Sequence, residues 1–203
     1  MKHIVDRSCS VGLLGGSFNP AHGGHVHISC EAYKHLGLDE IWWLVSPQNP
    51  LKSPYEMARL DKRLERSREL TSHIPYIYVT ALELELGTQY TADTIKTLQQ
   101  RFHHIQFTWI MGADNLQQFH RWHRWKWIAE HVPIAVFNRK PHTYPALNSL
   151  TAQRYSYARL DENDGKLLPF SNAPAWTFFN IRPNTESSTA IRQKISNKTI
   201  EPL

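Results

Sequence analysis

Short apolar runs and longer amphipathic stretches take turns along this chain. Val11 to Leu14 form the first apolar run and Glu40-Ile41-Trp42-Trp43-Leu44-Val45-Ser46 the second; Tyr76 to Val79, Ile105 to Met111, Ile134 to Phe137 and Trp176 to Ile181 repeat the pattern. Runs this short and this rich in β-branched and aromatic residues predict buried strands. Between them the spacing is helical: about residues 24 to 36 with Gly37 near the C-cap, a charged stretch over 56 to 72, Thr91 to Phe102, one or two helices within 115 to 130, and a last helix starting near Glu186. Strand-then-helix alternation predicts a parallel sheet with helices on both faces and right-handed crossovers. Pro47, Asn49, Pro50 and Pro54 mark a loop after the second strand. Residues 141 to 170, with several prolines, an Asp161-Glu162-Asn163-Asp164-Gly165 turn cluster and little periodicity, read as an irregular surface excursion or a poorly ordered loop. No internal repeat or second domain is visible, so residues 1–203 read as one domain.

Composition narrows the class. At 203 residues with 41% hydrophobic and 20% charged side chains, the chain is long enough to bury a substantial core. It has no apolar stretch approaching eighteen residues and no signal-like start, which predicts a cytoplasmic protein without a membrane partner. Cys9 and Cys30 are too few for a disulfide framework and lack zinc spacing, so no protein-held metal site is expected. The surplus of Lys and Arg over Asp and Glu, 23 − 18 = 5, suits anionic small molecules as well as nucleic acid. Phe119-His120-Arg121-Trp122-His123-Arg124-Trp125-Lys126-Trp127 interleaves rings and cations and could stack bases, which makes RNA the less favoured partner. The alternative is an amphipathic helix with Trp125, Ile128 and Ala129 inward and Arg121, Arg124 and Lys126 in water.

The candidate chemistry starts where the first strand ends, at Leu13-Leu14-Gly15-Gly16-Ser17-Phe18-Asn19-Pro20-Ala21-His22-Gly23-Gly24-His25. Two glycines after a strand allow close backbone approach to a ligand or positive φ. His22 and His25, three apart at a helix start, can point together at the end where free N–H groups favour anions. The run is neither the dinucleotide fingerprint nor the P-loop, since no lysine follows the glycines. Near the other end, Glu186-Ser187-Ser188-Thr189-Ala190-Ile191-Arg192 offers a hydroxyl cap, exposed N–H groups and an arginine one turn later, a socket for a diphosphate or simply a capped surface helix. In parallel α/β sheets ligands bind beyond the carboxyl ends of the strands where strand order reverses. That places His22 and His25, Lys52 and Gly112-Ala113-Asp114 at one end of the sheet.

Gly15-Gly16-Ser17-Phe18-Asn19-Pro20 with His22 and His25 closely resembles the G-G-[ST]-F-[DN]-P-x-H-x-G-H signature of the nucleotidylyltransferase superfamily. Ser187-Ser188-Thr189-Ala190-Ile191-Arg192 resembles its second signature, I-S-S-T-x-[IV]-R, with Glu186 where isoleucine is usual. Tyr90-Thr91-Ala92-Asp93-Thr94, Met111-Gly112-Ala113-Asp114 and Phe119-His120-Arg121-Trp122 are similar to segments of one branch, bacterial nicotinate-nucleotide adenylyltransferase. The resemblance implies a single doubly wound, Rossmann-like sheet and transfer of AMP from ATP to nicotinate mononucleotide, with Mg²⁺ bound through the ATP phosphates.

It also implies roles. Catalysis falls to His22, His25, Lys52 and Arg192. ATP would lie against Gly15, Gly16, Ser17, Phe18, His22, His25, Asp114, Ser188, Thr189 and Arg192, and the mononucleotide against Asn19, Lys52, Tyr90, Thr91 and Trp122. Trp122 would stack on the pyridine ring, the Thr91 helix start would receive the nicotinate carboxylate, and Asp114 would meet a ribose. Trp122 as plain core and Asp114 as a helix N-cap remain open beside these roles. Leu51 stands where some members have histidine, and Lys140 separates Arg139 from Pro141, so Arg139 is a weaker candidate. Other readings are nicotinamide mononucleotide or phosphopantetheine as acceptor, a nucleotide sensor without turnover, and an RNA binder; a homo-oligomer is left open.

Overall fold

In the second strand, Trp42 and Leu44 belong to one apolar cluster, while Ile41, Trp43 and Val45 belong to another. Successive side chains of a strand point to opposite faces, so a run that is apolar at every position must be covered on both sides. The computed structural model describes residues 9–47, 57–138, 142–182, 184, 186, 188, 191 and 192. Among them, β1 (Cys9–Gly16), β2 (Glu40–Val45), β3 (Ile77–Thr80), β4 (Ile105–Gly112), β5 (Ile134–Phe137), β6 (Arg159–Leu160) and β7 (Trp176–Phe179) form one sheet in the order β3-β2-β1-β4-β5-β7-β6. Every neighbouring pair is parallel. Strand order reverses between β1 and β4, which makes the sheet doubly wound.

The helices are α1 (Gly23–Leu36), α2 (Leu60–Thr71), α3 (Leu82–Leu86), α4 (Thr91–Arg101), α5 (Ala113–Gln118), α6 (Trp125–His131), α7 (Thr143–Leu147) and α8 (Leu150–Arg154). Ala32 and Leu36 of α1 pack with Trp43 and Ile110 on one face; Ala92, Ile95 and Leu98 of α4 and Ile128 of α6 pack with Trp42 and Trp109 on the other. Gly37 closes α1 at φ 65°, in the left-handed region where a side chain would be strained. None of these helices is long and apolar enough to cross a membrane.

One expectation is corrected, one is narrowed and one element was not foreseen. Of residues 141 to 170, read as an irregular surface excursion, the described part is regular: it holds α7, α8, 3₁₀ turns at Ser156–Ala158 and Glu162–Phe170, and the edge strand β6. Ala146, Ala152, Tyr155 and Leu168 anchor that segment in the core; elements of two to five residues are too short to show a period. Of the one or two helices expected within 115 to 130, the structure has two, α5 and α6: Phe119–Arg121 between them is 3₁₀, and Arg124 at φ 52° breaks the path before α6. Five-residue α3 was not anticipated for the same reason of length.

Candidate active site

Beyond Gly16 the chain turns sharply, and packing dictates how. Neither Gly15 nor Gly16 is at positive φ; the left-handed residue is Phe18, at φ 44°. A Cβ on Gly15 would stand 2.5 Å from Cη2 of Trp109 on the neighbouring strand, so glycine is required there by close approach. The buried Phe18 ring stacks on Trp43 at 4.7 Å and meets His25 at 4.7 Å, contacts that offset the roughly 1 kcal/mol cost of its backbone.

His22 is the N-cap of α1. Its Nδ1 accepts from the Gly24 N–H at 3.1 Å, and His25 Nδ1 accepts from the His22 N–H at 3.3 Å, a reciprocal capping box built from two imidazoles. A backbone N–H can only donate, so both Nδ1 atoms present lone pairs. Each neutral ring therefore carries its proton on Nε2, where it is a donor for a ligand oxygen. The rings lie 3.9 Å apart.

The far end of the chain closes on this turn. Ser188 Oγ donates to the Pro20 carbonyl at 2.9 Å, and Arg192 Nη1 donates to the Asn19 carbonyl at 2.6 Å. The Asn19 side chain accepts from the Ala58 N–H at 3.2 Å. Glu186, the departure from the second signature, places Oε2 2.6 Å from the Gly23 N–H, the first of α1. It thus sits where the helix dipole draws anions. Replacing Glu186 by glutamine is expected to lower KM for ATP about two- to fivefold with kcat little changed, the scale of one charge at a helix start; a KM that stays put or rises in initial-rate measurements would mean this carboxylate does not compete with the triphosphate.

The pyridine-side candidates lie along the other face of β1 and β4. Thr91 opens α4, and its N-cap Tyr90 makes no side-chain cap bond; the Tyr90 ring stacks on His123 at 4.3 Å. Trp122 is half-buried, edge-on to Trp109 at 6.1 Å and tilted to Phe119 at 5.2 Å. Trp109 thereby links the two halves, touching Trp122 on one side and lying against Gly15 on the other. Asp114 is the second residue of α5, whose N-cap is Gly112, so the N-cap alternative is corrected. Arg121, Arg124 and Lys126 face water and Ile128 and Ala129 are buried, while Trp127 stacks on His131 at 4.2 Å with the Arg124 guanidinium 5.3 Å above it, which leaves little of that ring for a base. Lys52, Thr189, Ser187 and Arg139 lie outside the described residues. Among the described residues no three His, Cys, Asp or Glu side chains converge as a metal site.

Two buried charged residues beneath the site were missed. Arg63 is 3% exposed and Glu83 is 6% exposed. A trace of Arg63 is visible in the sequence: Arg63, Ser67 and Thr71, spaced by four, form the buried stripe of an otherwise charged helix. Glu83 accepts from Ser46, and burial pushes its carboxyl up from 4.5 to about 7. Because the folded state holds this proton more tightly, the contribution to stability is full below about pH 4.5 and is lost as pH rises through about 7, on the order of 3 kcal/mol. Glu83→Gln should remove that slope; parallel wild-type and variant urea midpoints between pH 4.5 and 8 would refute it.

A doubly wound parallel sheet that joins a histidine capping box at the β1 exit to a serine and arginine from the other end of the chain has the layout of an enzyme that handles nucleotide phosphates. The chain belongs to the cytidylyltransferase-like family, whose model matches residues 13–194. It is 52% identical over 182 residues to "Probable nicotinate-nucleotide adenylyltransferase" of Cereibacter sphaeroides, covering 90% of this chain and 95% of that one. It is 50% identical to the protein of the same name in Agrobacterium fabrum, covering 90% and 97%, and 46% identical to that of Rhizobium johnstonii, covering 97% and 98%. In fold it is similar to Plasmodium falciparum nicotinic acid mononucleotide adenylyltransferase complexed with NaAD, with a TM-score of 0.69, 16% identity, and 91% and 83% of the two chains covered.

Proposed function

We propose that this protein transfers AMP from ATP to nicotinate mononucleotide, releasing deamido-NAD and pyrophosphate. The observation that carries the reading is the meeting of the two phosphate signatures, with Arg192 on the Asn19 carbonyl and Ser188 on the Pro20 carbonyl, beside two imidazoles whose Nε2 atoms carry the protons. Relatives at 46–52% identity bear the name of this activity.

An oxygen of the mononucleotide 5′-phosphate attacks the α-phosphorus of ATP. A new P–O bond forms as the α–β bridging P–O bond breaks, and the electron pair leaves with pyrophosphate. A phosphate oxygen is already nucleophilic near neutral pH, so no general base and no covalent intermediate are needed; catalysis is positioning and charge stabilisation. His22 and His25 donate from Nε2 to phosphate oxygens, and Arg192 and Lys52 balance charge on the leaving and attacking groups. Gly15, Gly16, Ser17 and Phe18 shape the ATP side together with Ser188 and Thr189, while Asp114 meets a ribose. The acceptor lies against Asn19, Tyr90, Thr91 and Trp122, its ring on Trp122 and its carboxylate at the α4 N-terminus. Mg²⁺ bound with ATP would be held by phosphate oxygens and water rather than by a cluster of protein ligands, and would supply charge withdrawal from the triphosphate.

The test is pyrophosphate release with ATP and Mg²⁺, offering nicotinate mononucleotide, nicotinamide mononucleotide and phosphopantetheine in parallel. Preferred turnover of the first supports the reading. Preference for either other acceptor overturns the assignment of the acceptor pocket, and no release with any of them overturns the proposed activity.

A further inference from the structure

Arg63 is the one guanidinium among the described residues that is buried, and its side chain donates to main-chain carbonyls. From α2, its Nε donates to Ala58 O at 2.8 Å, its Nη1 to both Ser17 O and Ser46 O at 2.7 Å, and its Nη2 to Pro47 O at 2.9 Å. Those carbonyls belong to three separate segments: the exit of β1, the exit of β2 and the approach to α2. None of the ion pairs among the described residues includes it, and burial, which disfavours the charged form, lowers its pKa from the ordinary arginine value. Burying a cation against carbonyl dipoles is a costly way to fill space, and an apolar side chain of similar volume packs as well or better. What an apolar side chain cannot do is hold four carbonyls in one plane; a planar fork of five N–H donors can.

We infer that Arg63 is a positioning residue for adenylyl transfer, fixing the Ser17–Asn19 turn and through it the two site histidines. The Ser17 carbonyl it grips is the one that enters Phe18, the residue at φ 44°. Phe18 in turn packs its ring on His25 at 4.7 Å. On the other side of the turn, Ala58, whose carbonyl Arg63 also holds, donates its N–H to the Asn19 side chain at 3.2 Å. Ser46, the shared partner of Arg63 and Glu83, donates its N–H to the Gly16 carbonyl at 3.0 Å, so the β1 exit is held from both directions. The arginine is itself fixed: Ser67 Oγ donates to the Arg63 carbonyl at 2.6 Å, and Thr71 Oγ1 to the Ser67 carbonyl at 2.9 Å. Arg63 touches no substrate; it sets where the Nε2 donors stand.

The kinetic part of the test rests on the function proposed above, and the spectroscopic part does not. Arg63→Lys keeps the charge and most of the volume but loses the fork, and Arg63→Gln keeps donors without the charge. For both, kcat is expected to fall tenfold or more, with KM for ATP within threefold of wild type, because displaced donors cost more in the transition state than in the ground state. ¹⁵N correlation spectra of histidine-labelled protein, with His22 and His25 assigned by substitution, should show a dominant Nε2–H tautomer in the wild type and tautomer averaging at these two rings in Arg63→Lys. Wild-type ring signals together with a kcat within twofold of wild type would overturn the inference. Should the wild type not use nicotinate mononucleotide, the functional reading fails while the ring signals still decide whether Arg63 positions the histidines.

Discussion

Alanine in place of His22 or of His25 is expected to lower turnover roughly a hundredfold or more while ATP binding weakens only modestly. Loss of one preorganised donor to a developing oxyanion costs on the order of 3–4 kcal/mol in the barrier, about 10² to 10³ in rate. The capping box adds a distinction between the two. His22 Nδ1 caps the Gly24 N–H at 3.1 Å, whereas His25 Nδ1 serves the N–H of His22 itself. His22→Ala therefore also removes an N-cap, worth about 1 kcal/mol of stability. His22→Asn restores a cap acceptor without an Nε2 donor at the same reach, and should recover the thermal midpoint but not the rate. Steady-state pyrophosphate release and thermal unfolding of the three variants check this. Near-normal turnover in either alanine variant would remove that histidine from the mechanism.

Truncation of Trp122 to alanine should raise KM for the mononucleotide about tenfold to a hundredfold, and KM for ATP far less. Stacking a heteroaromatic ring on an indole is worth about 1–3 kcal/mol, which sets that range. The side chain is half-buried, packed edge-on to Trp109 at 6.1 Å, so part of its surface is committed to the core and part faces outward. Substitution by phenylalanine keeps a stacking face and should recover most of the affinity. If both substrates lose affinity equally, Trp122 supports the fold through Trp109 and does not read the acceptor ring.

Six of the seven strands among the described residues were readable as apolar runs, because a strand buried on both faces needs no partner in the sequence to reveal itself. The parallel sheet followed from their alternation with helical spacing. The region after Arg139 was misjudged for a physical reason. β6 is two residues long, and α7 and α8 are five each; such elements exist only because Ala146, Ala152, Tyr155 and Leu168 find a core supplied by distant strands. Glycine chemistry was half legible. Two glycines at the end of a strand signalled close approach, but the approaching group was Trp109, ninety-odd residues on, and the left-handed turn fell to Phe18. Glu186 was legible as a departure, while its direction was not.

By itself the sequence determined the strand and helix periodicity, the two phosphate signatures and their residue types, since these depend on local spacing and side-chain chemistry. Tertiary structure alone decided how the atoms of those residues are disposed toward one another. The capping box assigned the imidazole protons to Nε2, the folded-back tail brought Arg192 to Asn19 across a separation of 173 residues, and Arg63 and Glu83 became buried supports beneath the turn. Those outcomes depend on long-range packing and on backbone groups that look the same at every residue, and no local pattern encodes them.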